Sequence, residues 1–353
     1  MNGAVHVVVP AGIDDPTRPS GGNTYDRRLC DFLASAGWSV HLEPVGGGWP
    51  SAEEEGGRSL AEALAPLPDG SLVLVDGLVA STVPEVMVPA ARRLRLVVLM
   101  HMPVGLGAVE ELVRAQERAV LCAVSSVVTT SEWSRQWLLA AYGLDPGAVH
   151  VAHPGVDRAE LAVGTTSGGS LLCVAPVSFA KGHDVLVEAL GRVVELPWRC
   201  VCLGALTRTP DEVAEVRRRL AAAGVARRVE LAGPRTGTEL EASYAAADLL
   251  VLASRAETYG MVVTESLARG LPVLASDVGG VSEALGVLPD GRRPGLLLPA
   301  GDADALARAL REWLTDEELR RTLREAAIER RVGLTGWSET ANRVAAVLSG
   351  VAS

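Results

Sequence analysis

The chain of 353 residues is 48% hydrophobic and 22% charged, which suits two globular domains that each bury a core and excludes a disordered chain. Its net charge is -10, with 10 basic against 17 acidic residues up to Gly155 and 23 against 26 beyond it, so neither half offers the broad basic face that nucleic acid or anionic lipid demands. No apolar run nears the roughly 20 residues that span a bilayer, and the N-terminus lacks a basic start and a small-residue cleavage site, so the cytoplasm is the expected location.

Val5–Val9 reads as a short buried strand. The loop after it ends in SGGNTYDRRL, where Asn23 is placed to cap a helix carrying Tyr25, Leu29, Leu33 and Ala36 at helical spacing, with Gly37 closing it. A strand, a glycine turn and a helix N-terminus receive phosphate on backbone amides, so Gly21 and Gly22 are candidates to face a diphosphate; a tight turn that needs glycines is the other reading. Ser39–Pro44 is the next strand, followed by a Gly-rich loop around Trp49, whose indole either covers a ring of a bound ligand, a sugar among them, or folds back onto the core. Strands at Ser71–Val75 and Leu96–Met100 follow, and the second delivers His101 at its carboxyl end, as a ligand contact or as a histidine bonded to nearby backbone. In VVTTSEWSRQWL a strand runs into a helix capped by Ser131, with Trp133 and Trp137 one turn apart. Pro154 and Gly155 then punctuate VHVAHPGVD as a domain boundary.

The second β/α series opens with LLCVAPVSFAKGHDVLVEAL, a strand, a loop holding Lys181 and Gly182, and an amphipathic helix. Among 33 basic residues Lys181 is the one lysine, which points to a place where a compact ammonium is wanted over a planar guanidinium, unless it is an ordinary surface residue. Arg199–Leu203 and Val229–Leu231 are strands, the second leading into AGPRTG. Ala247–Ala253 and Leu271–Ala275 are strands joined by a crossing helix, and ligands of an open parallel sheet bind beyond the carboxyl ends of the strands, where Glu257 falls. A helix starting near Gly260 leaves unpaired amides beside a residue that lets a ligand approach, and puts Glu265 about 7 Å further along. Two carboxylates so spaced either hold two hydroxylated ends of one ligand, such as the hexose and ribose of a sugar nucleotide, or are solvated glutamates. Asp302 and Asp304 form a D-x-D at a helix N-terminus, where capping explains them better than a metal. The five cysteines show no metal-ligand spacing; Cys200 and Cys202 share one face of a strand and read as buried reduced thiols.

The run SRAETYGMVVTESLARGLPVLASDVGG, with its E-x7-E followed by GLPVLAS and GG, resembles the donor site of retaining glycosyltransferases of family four, which have the GT-B fold. The resemblance implies an α/β architecture of two Rossmann-like doubly wound parallel-sheet domains facing a cleft. It implies an acceptor-side domain over residues 1–155, completed by a C-terminal helix at about 337–353 that crosses back, and a donor-binding domain over 156–336. Glu257 is then the contact to the transferred sugar, the amides of Tyr259, Gly260, Met261 and Val262 contact sugar hydroxyls and phosphate, and Glu265 holds the ribose. His101 is similar to the family's sugar-binding histidine and Lys181 to its diphosphate-binding lysine, and Arg235 lies in a loop that runs along the base. One departure stands out: the arginine expected five residues before the lysine, or directly before it, is replaced by Pro176 and Ala180, and Arg255 or Arg235 would have to substitute.

The activity so implied is transfer of a sugar from a UDP-type or GDP-type donor to an acceptor hydroxyl with retained configuration. His101, Lys181 and Glu257 are the catalytic set, and no metal or other cofactor is expected, because Lys181 and the amides near Gly22 and Gly260 answer the charge of the leaving diphosphate. A nucleotide-sugar-binding partner with a decayed site and a sugar-nucleotide epimerase of the same fold are the alternatives, separated by donor turnover with and without an acceptor. The donor base and sugar, the acceptor and the oligomeric state are not written in the sequence.

Overall fold

The computed structural model describes residues 3–50, 54–107, 111–207 and 209–352. The chain forms two compact units: residues up to Asp14, Ser20–Gly155 and Thr335 onward make the first, and Asp15–Pro19 with Val156–Leu334 make the second. Residues 1, 2 and 353, at the ends of the first expected domain, lie outside the described residues.

The first unit is built on six strands: β1 Ala4–Pro10, β2 Ser39–Val45, β3 Leu72–Asp76, β4 Arg95–Met100, β5 Ser126–Thr129 and β6 Val149–Val151. They pair in parallel in the order β2-β1-β3-β4-β5-β6. β3 and β5 are buried along their whole length, as continuous apolar runs in a sheet covered on both faces should be, whereas β2 at the edge is mostly open. The order reverses beside β1, so the connections leaving the carboxyl ends of β1 and β3 run to opposite sides, the place where such sheets form a crevice.

The helix Gly21–Ser35 starts at that crevice. Its cap is Ser20, in extended backbone, whose Oγ accepts from Asn23 N at 3.1 Å; the expected cap at Asn23 is therefore wrong by one turn. The correction places Gly21 and Gly22 in the first helical turn, where their amides have no intrahelical partner. Tyr25, Leu29 and Leu33 are at most 1% exposed, each contributing roughly 1.5–3 kcal/mol of burial. Ala36 falls on the C-cap and is exposed. The C-terminal helix Trp337–Ala352 belongs to this unit and lies on Gly21–Ser35, with the Trp337 ring edge-on to Tyr25. Gly155 is required where the chain passes it: a Cβ there would stand 2.4 Å from Trp337 N. Ser131 caps the helix Glu132–Tyr142 as expected, and Trp49 packs on the core with its Nε1 donating to Val45 O.

The second unit has strands β7 Ser170–Val174, β8 Arg199–Leu203, β9 Val229–Gly233, β10 Leu249–Leu252, β11 Val273–Ser276 and β12 Gly295–Leu298. All are parallel, in the order β12-β11-β10-β7-β8-β9. The chain winds from β7 outward to β9 and then returns to the other side at β10, so the switch point lies between β7 and β10. Apolar clusters cover both faces of this sheet, one centred on Leu171, Leu190 and Trp313, the other on Leu250, Leu267 and Tyr244.

Candidate functional site

The two loops that leave the second unit's switch point follow β7 and β10. After β7 a single 3-10 turn, Phe179–Lys181, is ended by Gly182 at φ +65°, where a Cβ would stand 1.9 Å from Ala253 O. Only glycine lets the turn lie that close to the end of β10. Ala180 O then accepts from Arg255 N at 2.7 Å and from Ala256 N at 3.3 Å, so the backbone of one loop is bonded to the other. The result is that Lys181 Nζ donates to Glu257 Oε1 at 2.5 Å, with side chains 18% and 10% exposed. Ser254 Oγ donates to the same oxygen at 3.0 Å. A third loop closes on Glu257 from behind: a Cβ on Gly279, at φ +57°, would stand 1.5 Å from Glu257 O, and Gly280 N donates to that carbonyl.

Three residues on, the helix Met261–Ala268 begins at Gly260, which has φ +89° and offers no side-chain cap. Val263 N donates to Gly260 O at 2.9 Å, while the amides of Met261 and Val262 are met by no cap side chain, the arrangement that receives anionic or hydroxyl oxygens. Tyr259 is turned into the core, where burial holds its phenol up at about 12, so its share in any ligand contact is through the main chain. Met261 and Val262 are half-buried on the first turn. Glu265 lies one turn further along, and Tyr244 Oη donates to its Oε2 at 2.8 Å. Burial raises the Glu265 carboxyl, against the lowering pull of the Tyr244 bond and the Arg269 charge.

Arg235 is not brought into this group. It follows β9, two strands from β7 on the side away from β10, where it donates to Ser243 Oγ at 2.9 Å and pairs with Glu230 at 3.3 Å. Arg255 is spent as a brace: both its terminal nitrogens donate to Asp184 at 2.7 Å, one also to Phe179 O, and the guanidinium lies 4.3 Å from the Phe179 ring centroid.

In the first unit the structure joins Gly22 to His101 at the end of β4; a Cβ on Gly22 would stand 3.2 Å from His101 Cδ2. It adds two carboxyl groups that the sequence reading did not single out. His101 Nε2 lies 2.7 Å from Asp26 Oδ1, with side chains 17% and 1% exposed, and Asp76 is close enough that one ligand atom from each of the three falls within 4.8 Å of the others. Asp76 also caps the turn Gly77–Ala80 through Leu78 N at 2.6 Å. Burial by itself lowers the imidazole, but the charge and hydrogen bond of Asp26, with the charge of Asp76, outweigh it and raise His101 to about 9. Burial and the neighbouring Asp26 charge raise Asp76 in turn. The signals were present: Asp26 stands in the apolar stripe of Tyr25, Leu29 and Leu33, and Asp76 ends an otherwise apolar strand. Ser254 and Tyr244 were also missed, and nothing in their own spacing marked them.

Two clusters carry donors of metal-ligand type among the described residues: Asp26, Asp76 and His101, and Cys173, His183 and Cys202. The second lies in the core beneath β7 and β8, where hydrogen bonding to Cys202 and burial push the Cys173 thiol well above its ordinary range, as expected of protonated core thiols. Of the D-x-D, Asp302 caps the helix Ala303–Thr315 by accepting from Ala305 N at 2.8 Å.

Comparison with known proteins bears on both units. The family described as Glycosyl transferases group 1 matches residues 167–330, and Glycosyltransferase Family 4 matches residues 76–160. D-inositol 3-phosphate glycosyltransferase 1 of Catenulispora acidiphila is 32% identical over 66% of this chain and 59% of its own length. The D-inositol 3-phosphate glycosyltransferase of Kineococcus radiotolerans is 34% identical over 64% of this chain and 57% of its own. The chain thus spans less than two thirds of the length of the curated relatives it matches. Among solved structures, sucrose-phosphate synthase from Thermosynechococcus elongatus superposes with a TM-score of 0.79 at 22% identity, covering 98% of both chains. Anabaena HepE in complex with UDP-glucose also gives 0.79, at 18% identity, covering 98% of this chain and 99% of its own. These likenesses show the fold, two Rossmann-like domains of the GT-B kind.

Proposed function

The chain belongs to the family-four glycosyltransferases of the GT-B fold, and on that premise we propose that it moves a sugar from a nucleoside diphosphate donor to an acceptor hydroxyl with retention of configuration. The observation that carries the reading is the Lys181–Glu257 pair at the switch point of the second unit, beside the uncapped start of the helix Met261–Ala268. An ammonium has three N–H donors; one is given to Glu257, and two remain for oxygens of a diphosphate. As the bond from the anomeric carbon to the phosphate oxygen breaks, negative charge grows on the diphosphate, and donors already fixed in place stabilise that state more than the ground state. The acceptor oxygen bonds to the same face of the anomeric carbon, and its proton passes to the departing phosphate oxygen.

In this reading Glu257 orients the sugar, Glu265 accepts from the ribose, Gly21 and Gly22 offer amides, and His101 binds the sugar. The charge is answered by Lys181 and amides, so no metal is required. The names of the curated relatives make inositol phosphates the first acceptors to screen, and the UDP-glucose complex of HepE makes UDP-sugars the first donors.

The test is thermal unfolding with a panel of nucleoside diphosphates, on the wild type and on Glu265→Gln, followed by donor consumption with and without acceptors. At 100 times its dissociation constant a ligand adds about 2.7 kcal/mol, a rise of a few degrees in Tm. One diphosphate is expected to stand out, with the shift reduced in Glu265→Gln and donor consumed only when acceptor is present. Absence of any shift overturns the reading, and donor consumed without acceptor replaces transfer by epimerisation or hydrolysis.

A further inference from the structure

At the end of β4 the first unit holds a histidine whose surroundings are unlike those of the lysine in the second. Asp26 is 1% exposed; its Oδ1 meets His101 Nε2 at 2.7 Å, and its Oδ2 is buried beside the carboxyl group of Asp76. A carboxylate so enclosed, bonded to a ring nitrogen and sharing a hydrogen bond with the raised carboxyl group of Asp76, is stabilised further by a positive charge at that nitrogen, which a neutral imidazole does not supply. The groups that face the ring can be named element by element. The helix Gly21–Ser35 supplies Asp26, the edge of the Tyr25 ring at 5.1 Å between centroids, and the Gly22 backbone; the end of β3 supplies Asp76. Tyr25 adds no charge, because its hydroxyl donates to Ala152 O at 2.9 Å and burial drives its pKa upward. Among the described residues no cationic side chain enters this group. Among the described residues the other ring nitrogen, Nδ1, takes no protein partner, and the side chain keeps 17% of its surface open.

We propose that Asp26 and Asp76 are positioning residues for the ligand at this end of the first unit: together they hold His101 as an imidazolium whose Nδ1–H is a fixed, charged donor. This rests on the functional reading above only for what the donor meets. The chemical consequence is a choice of ligand atom. A neutral ring bonded to Asp26 through Nε2–H would present Nδ1 as an acceptor and would prefer a hydroxyl proton. The imidazolium selects an oxygen lone pair instead, most strongly one that bears charge. Gly22 adds shape to this choice, since anything larger than a hydrogen at its Cα presses on the ring.

The test reads His101 directly, by carbon-13 NMR of selectively labelled histidine in the full chain, with the signal assigned by its loss in His101→Gln. In the wild type His101 is expected to keep its proton through pH 8, and in Asp26→Asn to lose it at least one pH unit lower, because burial is then opposed by the charge of Asp76 alone. Asp76→Asn is expected to shift it downward by less, with the Tm of each variant recorded. Loss of the wild-type proton below pH 7 overturns the proposal without any variant having to fold, and so does an unchanged titration in a folded Asp26→Asn protein. In the donor assay, Asp26→Asn should move the alkaline limb of kcat/KM from near 9 to at least one pH unit lower, with donor KM rising above the new limb. A purely structural role would lower Tm and leave the limb in place. If the wild type turns over no donor while His101 still titrates as expected, the functional reading fails and this inference stands.

Discussion

Both units set a cation against a carboxylate beyond the carboxyl ends of their strands, and they do so by opposite means. In the second unit Lys181 and Glu257 come from loops, and the pair exists because Gly182 and Gly279 let backbone approach backbone more closely than any Cβ permits. In the first unit His101 and its two carboxyl groups come from a helix and from strand ends, and no left-handed backbone brings them together. The second arrangement is therefore vulnerable to backbone geometry, and the first to protonation.

The sharpest way to break this contrast is Gly279→Ala. Left-handed backbone and overlap with Glu257 O together should cost about 2–4 kcal/mol in denaturant unfolding and abolish the diphosphate-dependent rise in Tm. A variant of unchanged stability would mean that the loop around Glu257 yields, and that close packing is not what places the pair. Lys181→Ala comes next. It removes one preorganised charge donor and should lower kcat on the order of 100-fold with little change in fold, and a loss below threefold would contradict the role given to the lysine.

The first unit answers to pH. His101 is raised from an ordinary 6.5 to about 9 in the folded chain, and Asp76 is raised from an ordinary 3.8, so the folded state binds more protons than the unfolded one. The stability that His101 contributes is fully present below pH 6.5 and is lost as pH rises through 9. The unfolding midpoint should fall over that interval, and Asp26→Asn should flatten its slope; a midpoint that rises from pH 6.5 to 9 would reverse the assignment. The smallest effect is expected of Gly22→Ala. Its Cβ would meet only a side-chain ring at 3.2 Å, in a helical first turn, so stability should stay within about 1 kcal/mol while the His101 signal shifts. A cost as large as that of Gly279→Ala would erase the distinction between the two units.

Much of this was legible in one dimension. Parallel strands buried on both faces must be apolar throughout, and each observed strand from β1 to β11 overlaps a run read that way or, for β6, the stretch VHVAHPGVD. Lys181, Glu257, Gly260 and Glu265 were legible because a solitary lysine, a carboxylate after a strand and a glycine before a helix are local signals. Helix starts were less secure: Ser20 and Asn23 are both good caps, and the choice between them depends on where the chain leaves β1.

What the sequence determined by itself is the α/β class, the alternation of strands and helices, and the chemical types placed after each strand, since all of these follow from periodicity and residue type along the chain. Which of those residues meet was decided only by the tertiary structure. Strand order puts β7 beside β10 and so brings Lys181 to Glu257 across 76 positions of sequence, and it sets Arg235 on the far side of β8. It also brings Asp26 to His101 across 75 positions, turning an apparent flaw in an apolar stripe into the partner of a histidine. The physical reason is that a hydrogen bond or an ion pair depends on distance through space, and in a doubly wound sheet that distance is set by the point at which the winding reverses.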